Sequence, residues 1–449
     1  MMNEAGFYWQ RHAVAERLVL DVLDDFARRN RALVRLQQCM MEQASCRLVD
    51  WVDCLHLPGA PKLRQRLAGL GFVPQSATDR EAYYHPGALL PTVLLAAEGA
   101  GGQGGVALRV DCVAEFLQAN RLSAAIEGSP LSPLRSAVVN VEGGVQLSVL
   151  ERRGSLDYEP ATQPPACLVN YLTACELWQT RRRHDDDEDR LWTETFRLTE
   201  LLVERLGVDL AACVVCSGER QYWQVRNAAG RLQKSRQDFL GLGWGNHDHH
   251  TFRSSRRHFA RLVTLFGRLG FEARERFYAG EQAGWGAQVM ENRGAGLSLF
   301  LDVDLAPQEV ATDFTVEALP ERDSLGTVGL WCALHGDSIF GAGMHHLAAR
   351  CDFERLIADL ARLDVTYMAP FSDFPWLKQA FSTAERWPVD AKRVARLLAD
   401  GMLTVQQGEK FLAEGAVGSH LENIQRGHGY KGFNKDNVSA IIRKTDPRI

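Results

Sequence analysis

Four times along this 449-residue chain a strand-like stretch runs into a short amphipathic helix and on into further strands. The first instance starts at LVDWVDCLHL, passes through PKLRQRLAGLGF, a helix ending in glycine, and returns as PTVLLAAEG. The second is GVALRVDCV, the helix AEFLQANRL, and the strands SAVVNVEGG and VQLSVLERRG. From residue 246 the pattern returns as HDHHTF, the helix RRHFARLVTLFGRLGF, and the strands WGAQVME and LSLFLDVD. It repeats with AGMHHLAAR, DFERLIADLARL and VTYMAP, then closes on GAVGSHLENIQRG after a helical stretch over 388–415. Alternation of period two marks strands, and apolar recurrence every three or four residues marks helices. Each unit therefore reads as strand, helix and further strands, a β-α-β-β-β pattern in which not every strand is marked, and the expected class is α+β with paired units.

The rest of the chain divides around these units. Residues 12–45 carry apolar positions at helical spacing and read as a helix. Residues 154–166 hold three prolines and read as a linker. Residues 167–240 are mostly helical in pattern. The expected boundaries are an N-terminal helical segment (1–46), a first domain (47–165), a helical insertion (166–244) and a second domain (245–449). The closing stretch NKDNVSAIIRK reads as a short helix. Within the insertion, Arg181-Arg182-Arg183-His184 precedes Asp185-Asp186-Asp187-Glu188-Asp189, which reads as a solvated helix end or loop. Cys213 and Cys216 form a lone CxxC, read as small buried apolar residues rather than a zinc site.

Composition narrows the function classes. A net charge of −5 with no long basic run leaves no nucleic-acid footprint. No stretch approaches the roughly 18 apolar residues that span a bilayer. The charged N-terminus has no apolar signal core, so a soluble, cytoplasmic protein with reduced cysteines is expected.

The chemistry is concentrated in histidines. The run Asn246-His247-Asp248-His249-His250 opens the third unit, His345-His346 opens the fourth, and Glu422 stands in its last strand. Two imidazoles and one carboxylate on separate segments make a ligand set suited to a divalent metal with open positions. Strand alternation puts His247, His249, Thr251 and Arg253 on one face and His250 on the other. Only one of His345 and His346 faces a given site, and His420 shares the face of Glu422 as a competing ligand. His249 and His346 hold equivalent first strands of successive units. Arg253, two strand steps from His249, suits an anionic substrate because a guanidinium grips a carboxylate through two parallel hydrogen bonds.

These segments resemble a known family. Asp248-His249, the segment GAGMHHLAARCDFERLIADLARLDVTYM, and HLENIQRGHGYKGFNKDNVSAIIRK are similar to the catalytic domain of 4-hydroxyphenylpyruvate dioxygenases, members of the vicinal-oxygen-chelate superfamily. The resemblance covers roughly 47–165 and 245–445. It implies two vicinal-oxygen-chelate domains built of paired βαβββ modules, the second one catalytic. It implies Fe(II) held by His249, His346 and Glu422, with Phe433 lining the site and Asn437 lining or closing it. GVALRVDCVAEFL and LSVLERRGSLDYEP resemble the non-catalytic first domain. There Arg109 and Asp111 stand where a second histidine is needed, so His56 and Glu151 are expected to bind no metal. The His-x-x-x-Arg spacing of His249 and Arg253 is more like the 2-oxoadipate dioxygenase/decarboxylase branch, where the arginine holds the substrate acid.

The implied activity is Fe(II)-dependent oxidative decarboxylation of a 2-oxo acid by dioxygen, with oxygenation of the same substrate. Arg253 would orient the acid. Gln288 on the strand AQVME is either a second polar contact or an ordinary strand residue. The alternatives are a non-oxidative lyase or isomerase using Mn, Ni or Zn, a hydroxy-acid-forming 2-oxoadipate-type enzyme, and a binding protein with a dead site. The expected partners are small molecules, a 2-oxo acid and dioxygen, with no nucleic acid and no membrane. A homo-oligomer is compatible with the sequence; the wider resemblance implies an aromatic 2-oxo acid and Arg253 an aliphatic or dicarboxylic one, and both stay open.

Overall fold

Asn30 breaks the N-terminal helical pattern in two. Helices Ala13–Arg29 and Arg31–Ala44 meet at this residue, whose extended backbone cannot continue a helix. Its side-chain oxygen accepts a hydrogen bond from the Leu33 N–H at 3.1 Å, and its amide donates to the Val145 carbonyl at 3.0 Å. The single helix expected over 12–45 is therefore two. Apolar periodicity runs through the break because both helices bury one face on the same core. The structure, a computed structural model, describes residues 8–75, 81–96, 103–160, 162–281, 283–434 and 445–448.

Two large sheets follow. The first contains β1 (Val52–Leu57), β2 (Val73–Gln75), β3 (Glu81–Tyr84), β4 (Thr92–Leu95), β5 (Gly104–Arg109), β6 (Leu134–Glu142) and β7 (Val145–Arg152), in the order β2-β3-β4-β1-β5-β7-β6. The second contains β8 (His247–Arg253), β9 (Glu272–Tyr278), β10 (Trp285–Asn292), β11 (Leu297–Asp304), β12 (His346–Arg350), β13 (Ser372–Phe374) and β14 (Leu377–Phe381). A two-stranded ribbon, β15 (Arg386–Trp387) with β16 (Ala416–Val417), precedes its last strand, β17 (His420–Arg426). The second sheet runs β13-β14-β17-β12-β8-β11-β10-β9.

The same pairing rule builds both sheets. Within a unit the first strand lies parallel to the last: β1 with β4, β5 with β7, β8 with β11, β12 with β17. Parallel neighbours need a long crossover, and the helix of each unit supplies it. Two units then join through antiparallel first strands, β1 with β5 and β8 with β12. The crossover helices pack by one apolar face. Helix Phe259–Arg268 buries Phe259, Leu262, Leu265 and Phe266, each burial contributing about 1.5–3 kcal/mol.

The structure departs from the expected units in places. The second unit has the two strands read after its helix, β6 and β7, so among the described residues it is β-α-β-β. VTYMAP forms one isolated bridge, Tyr367 to Ser382, and its unit is completed instead by β13 and β14. The closing helix expected over NKDNVSAIIRK, and Asn437 with it, lies outside the described residues apart from Asn434.

The segment between the sheets folds as helices Pro165–Thr180, Glu188–Leu206, Val208–Gln224 and Ala228–Asp238. Its charge run is not wholly solvated as expected. Arg181 and Arg183 are buried against Glu219 at 2.7 and 2.9 Å, and they donate to the carbonyls of Ile339 and Phe340 in the stretch before β12. The side chain of Asp187 caps the next helix. Cys213 and Cys216 sit on helix Val208–Gln224, where burial pushes both thiols up. No helix among the described residues is long and apolar enough to cross a membrane.

Candidate metal centre

β17, β12 and β8 lie side by side, and each contributes one residue to a buried cluster. His249, His346 and Glu422 each offer a ligand atom, and these atoms all lie within 4.8 Å of one another. Glu422 Oε2 stands 3.3 Å from His249 Nε2 and 3.1 Å from His346 Nε2. Two imidazole nitrogens and one anionic oxygen converging in a dry pocket fit a divalent cation of the first transition row.

A bulge aims the first of them. Leu347 pairs with His250 and Ala349 with His247, so Asp248 and His249 stand opposite the single residue Ala348. Two residues facing one break the alternation of the strand. His249 turns to the site with Thr251 and Arg253. His247, expected on that face, instead packs with His250, their ring centroids 5.4 Å apart. His250 also approaches Arg220 at 3.4 Å.

Each proposed ligand is held from behind. His249 Nδ1 donates to Asp248 at 2.9 Å, and Arg426 clamps that carboxylate through Nε and Nη2 at 2.7 and 2.9 Å. A carboxylate on the far ring nitrogen fixes the tautomer that leaves Nε2 free. His346 Nε2 lies 2.8 Å from Thr251 Oγ1, and its Nδ1 lies 2.9 Å from His345 Nδ1. The Gln379 amide donates to Glu422 Oε1 at 2.8 Å.

The electrostatics follow from this packing. Burial pushes the Glu422 carboxyl up, but His249 and His346 outweigh it and hold it at about 2. Burial pushes His249 down, yet Glu422 and Asp248 raise it to about 9. For His346 burial prevails and lowers it to about 4, leaving a neutral imidazole at pH 7. A metal must therefore displace the His249 proton, which makes its binding pH-dependent.

The ligands open on a small cavity of about 60 Å³. Its wall is aromatic: Phe277, Trp285, Phe300, Phe371, Phe381 and Phe433. The Phe433 ring stands edge-on to His249 at 5.0 Å. Arg253 lines the same cavity. Its Nε lies 3.6 Å from Asp302, and neither Nε nor Nη1 has a hydrogen-bond partner. Burial raises the Asp302 carboxyl to about 7, against the pull of Arg253.

Other expectations need correcting. Gln288 faces away from the cavity: its amide donates to the carbonyls of Glu275 and Val289, while its neighbours Ala287 and Val289 join the cluster around the site. His345 and His346 both border the cavity, because His345 precedes β12 and escapes its alternation. His420 is tied to the Ser382 carbonyl at 2.8 Å and stands outside the ligand cluster. In the first sheet, Glu151 accepts from the Val113 N–H at 2.7 Å and pairs with Arg135 and Arg153, a structural use of a buried carboxylate.

Paired βαβββ units, joined through their first strands and repeated in two sheets, define the architecture. This is the α+β arrangement of paired units that the sequence pattern leads one to expect. No protein-family profile matches the chain, and no curated protein sequence does. Among solved structures it is similar to a mutant 4-hydroxymandelate synthase from Streptomyces coelicolor, 14% identical, covering 89% of this chain and 98% of that one, with a TM-score of 0.29. A xylose isomerase-like TIM barrel/4-hydroxyphenylpyruvate dioxygenase fusion protein is 13% identical over 89% of this chain and 52% of its own, TM-score 0.24. Methylmalonyl-CoA epimerase from Mycobacterium tuberculosis is 11% identical over 40% of this chain and 87% of its own, TM-score 0.23. In the second sheet, the proposed ligands come from the first strands of two units, β8 and β12, and from β17, the last strand of the latter unit.

Proposed function

We propose that the chain is a non-haem iron dioxygenase that oxidatively decarboxylates a 2-oxo acid and oxygenates the same substrate. The observation that carries this is the buried convergence of His249, His346 and Glu422 beside the unpartnered donors of Arg253. These three residues would hold Fe(II). Bound there, the metal supplies open positions for the substrate's oxo acid group and for dioxygen.

The protein's own residues do the rest. Asp248 keeps the His249 Nδ1 proton and so presents Nε2. Gln379 occupies Glu422 Oε1 and leaves Oε2 toward the imidazoles. Arg253 orients the acid by donating from Nε and Nη1, which are already desolvated. The six aromatic rings exclude water from a reaction that generates an oxidant, and they favour an apolar side chain on the substrate. In the overall balance the 2-oxo acid loses its carboxylate as CO2. One oxygen atom of O2 enters the new carboxylate and the other the oxidised remainder.

An aerobic screen of aromatic, aliphatic and dicarboxylic 2-oxo acids with Fe(II) tests the reading. The expected result is oxygen uptake matched by CO2 release, with mass spectrometry recording the gained oxygen. Turnover with no oxygen uptake would place the site among lyases or isomerases instead.

A further inference from the structure

A second and larger cavity, about 820 Å³, lies between the two sheets and is not used by the proposed reaction. It is lined by many charged residues, and most are spent on one another. Arg47 pairs with Asp50, Arg152 with Asp53, Arg426 with Asp248 and Lys431 with Glu291, at 2.7 to 2.8 Å. Arg109 and Arg350 are different. Among the described residues neither side chain makes a hydrogen bond or an ion pair, and the buried Arg350 Nε has no partner.

The internal repeat explains why these two face the same cavity. Val106-Ala107-Leu108-Arg109-Val110-Asp111 and Leu347-Ala348-Ala349-Arg350-Cys351-Asp352 occupy equivalent strands, β5 and β12, each ending on its arginine. The aspartates two residues on are engaged locally. Asp111 accepts from the Trp244 N–H, and Asp352 caps helix Phe353–Ala361. The arginines are left to the cavity. Gly296 makes room for one of them, since a Cβ there would stand 2.8 Å from Arg109 Nη1. Asp53, within electrostatic reach of Arg109, gives its own hydrogen bonds to Arg152, so both guanidinium groups keep donors unused, and a guanidinium fork matches a carboxylate or a phosphate.

We propose that the cavity between the sheets is a second ligand site, binding an organic anion through Arg109 and Arg350. The anionic group is a carboxylate or a phosphate, and the mixed polar and apolar walls, with Trp51, Leu90 and Tyr158 among them, suit an organic body behind it. The site is separate from the metal centre and does not depend on its chemistry.

Calorimetric titration of the full chain with inorganic phosphate and with succinate, at matched ionic strength against chloride, tests this. Saturable binding of one equivalent is expected for at least one probe, and the preferred probe identifies the anion class. Arg109→Gln and Arg350→Gln should each weaken it about tenfold or more, while Arg253→Gln leaves it unchanged. Equal affinity in the Arg109 and Arg350 variants, loss in the Arg253 variant, or no uptake by ~10 mM would overturn the proposal. Should Arg109→Gln fail to fold, thermal melting decides. Wild type should be stabilised by the binding probe over chloride, and the Arg350→Gln variant should not.

Discussion

At the scale of the residue, the candidate centre turns on a few desolvated atoms. Alanine at His249, His346 or Glu422 is expected to abolish stoichiometric iron while the chain stays folded, read by metal analysis beside circular dichroism. Full iron occupancy in any one variant removes that residue from the ligand set. Arg253 acts on substrate rather than metal in this reading. Arg253→Gln should raise KM for the 2-oxo acid roughly 10- to 100-fold, the worth of a charge-assisted hydrogen bond of about 1.5–3 kcal/mol, with iron affinity little changed. Asp248→Asn withdraws the carboxylate from His249 Nδ1 and leaves Arg426 unpaired. A loss of about 10- to 100-fold in metal affinity is expected, measured by chelator competition. An unchanged affinity would show that the tautomer is set elsewhere.

At the scale of the element, the inserted helices are anchored by one buried carboxylate. Burial opposes the Glu219 charge, but Arg181 and Arg183 hold its carboxyl below the usual range. Its folded value is thus depressed relative to the unfolded chain. The stability it contributes is full above the unfolded carboxylate value of about 4.3 and is lost as pH falls through the lower folded value. Glu219→Gln should destabilise the protein by about 3–5 kcal/mol at pH 7, since it strands two buried guanidinium groups. It should also flatten the acid limb of stability measured by urea unfolding from pH 6 to 3. Equal acid limbs in the two proteins would place the acid sensitivity in other carboxylates.

At the scale of the whole molecule, two similar sheets have diverged in use. His56 and Glu151 in the first sheet occupy ligand-like positions, yet Glu151 is consumed by Val113, Arg135 and Arg153. One equivalent of metal per chain is therefore expected, and two equivalents by elemental analysis would contradict it. The four-unit pattern and the segments carrying the three proposed ligands were legible in the residue order, because alternation and helical periodicity are local and each unit repeats them. The face of His247 was not, because a bulge between β8 and β12 depends on the partner strand. Nor were the groups behind the ligands. Gln379 reaches Glu422 from 43 residues away, and Arg426 reaches Asp248 across 178. Nothing in LKQAF distinguishes Gln379 from any other strand amide until β14 is paired with β17. Short-range periodicity was enough for the elements and their repetition. The choice among histidines, the turning away of Gln288 and the unused hydrogen-bond donors of Arg253 and Arg350 were settled by long-range pairing, since burial and hydrogen-bond partners exist only once distant strands meet.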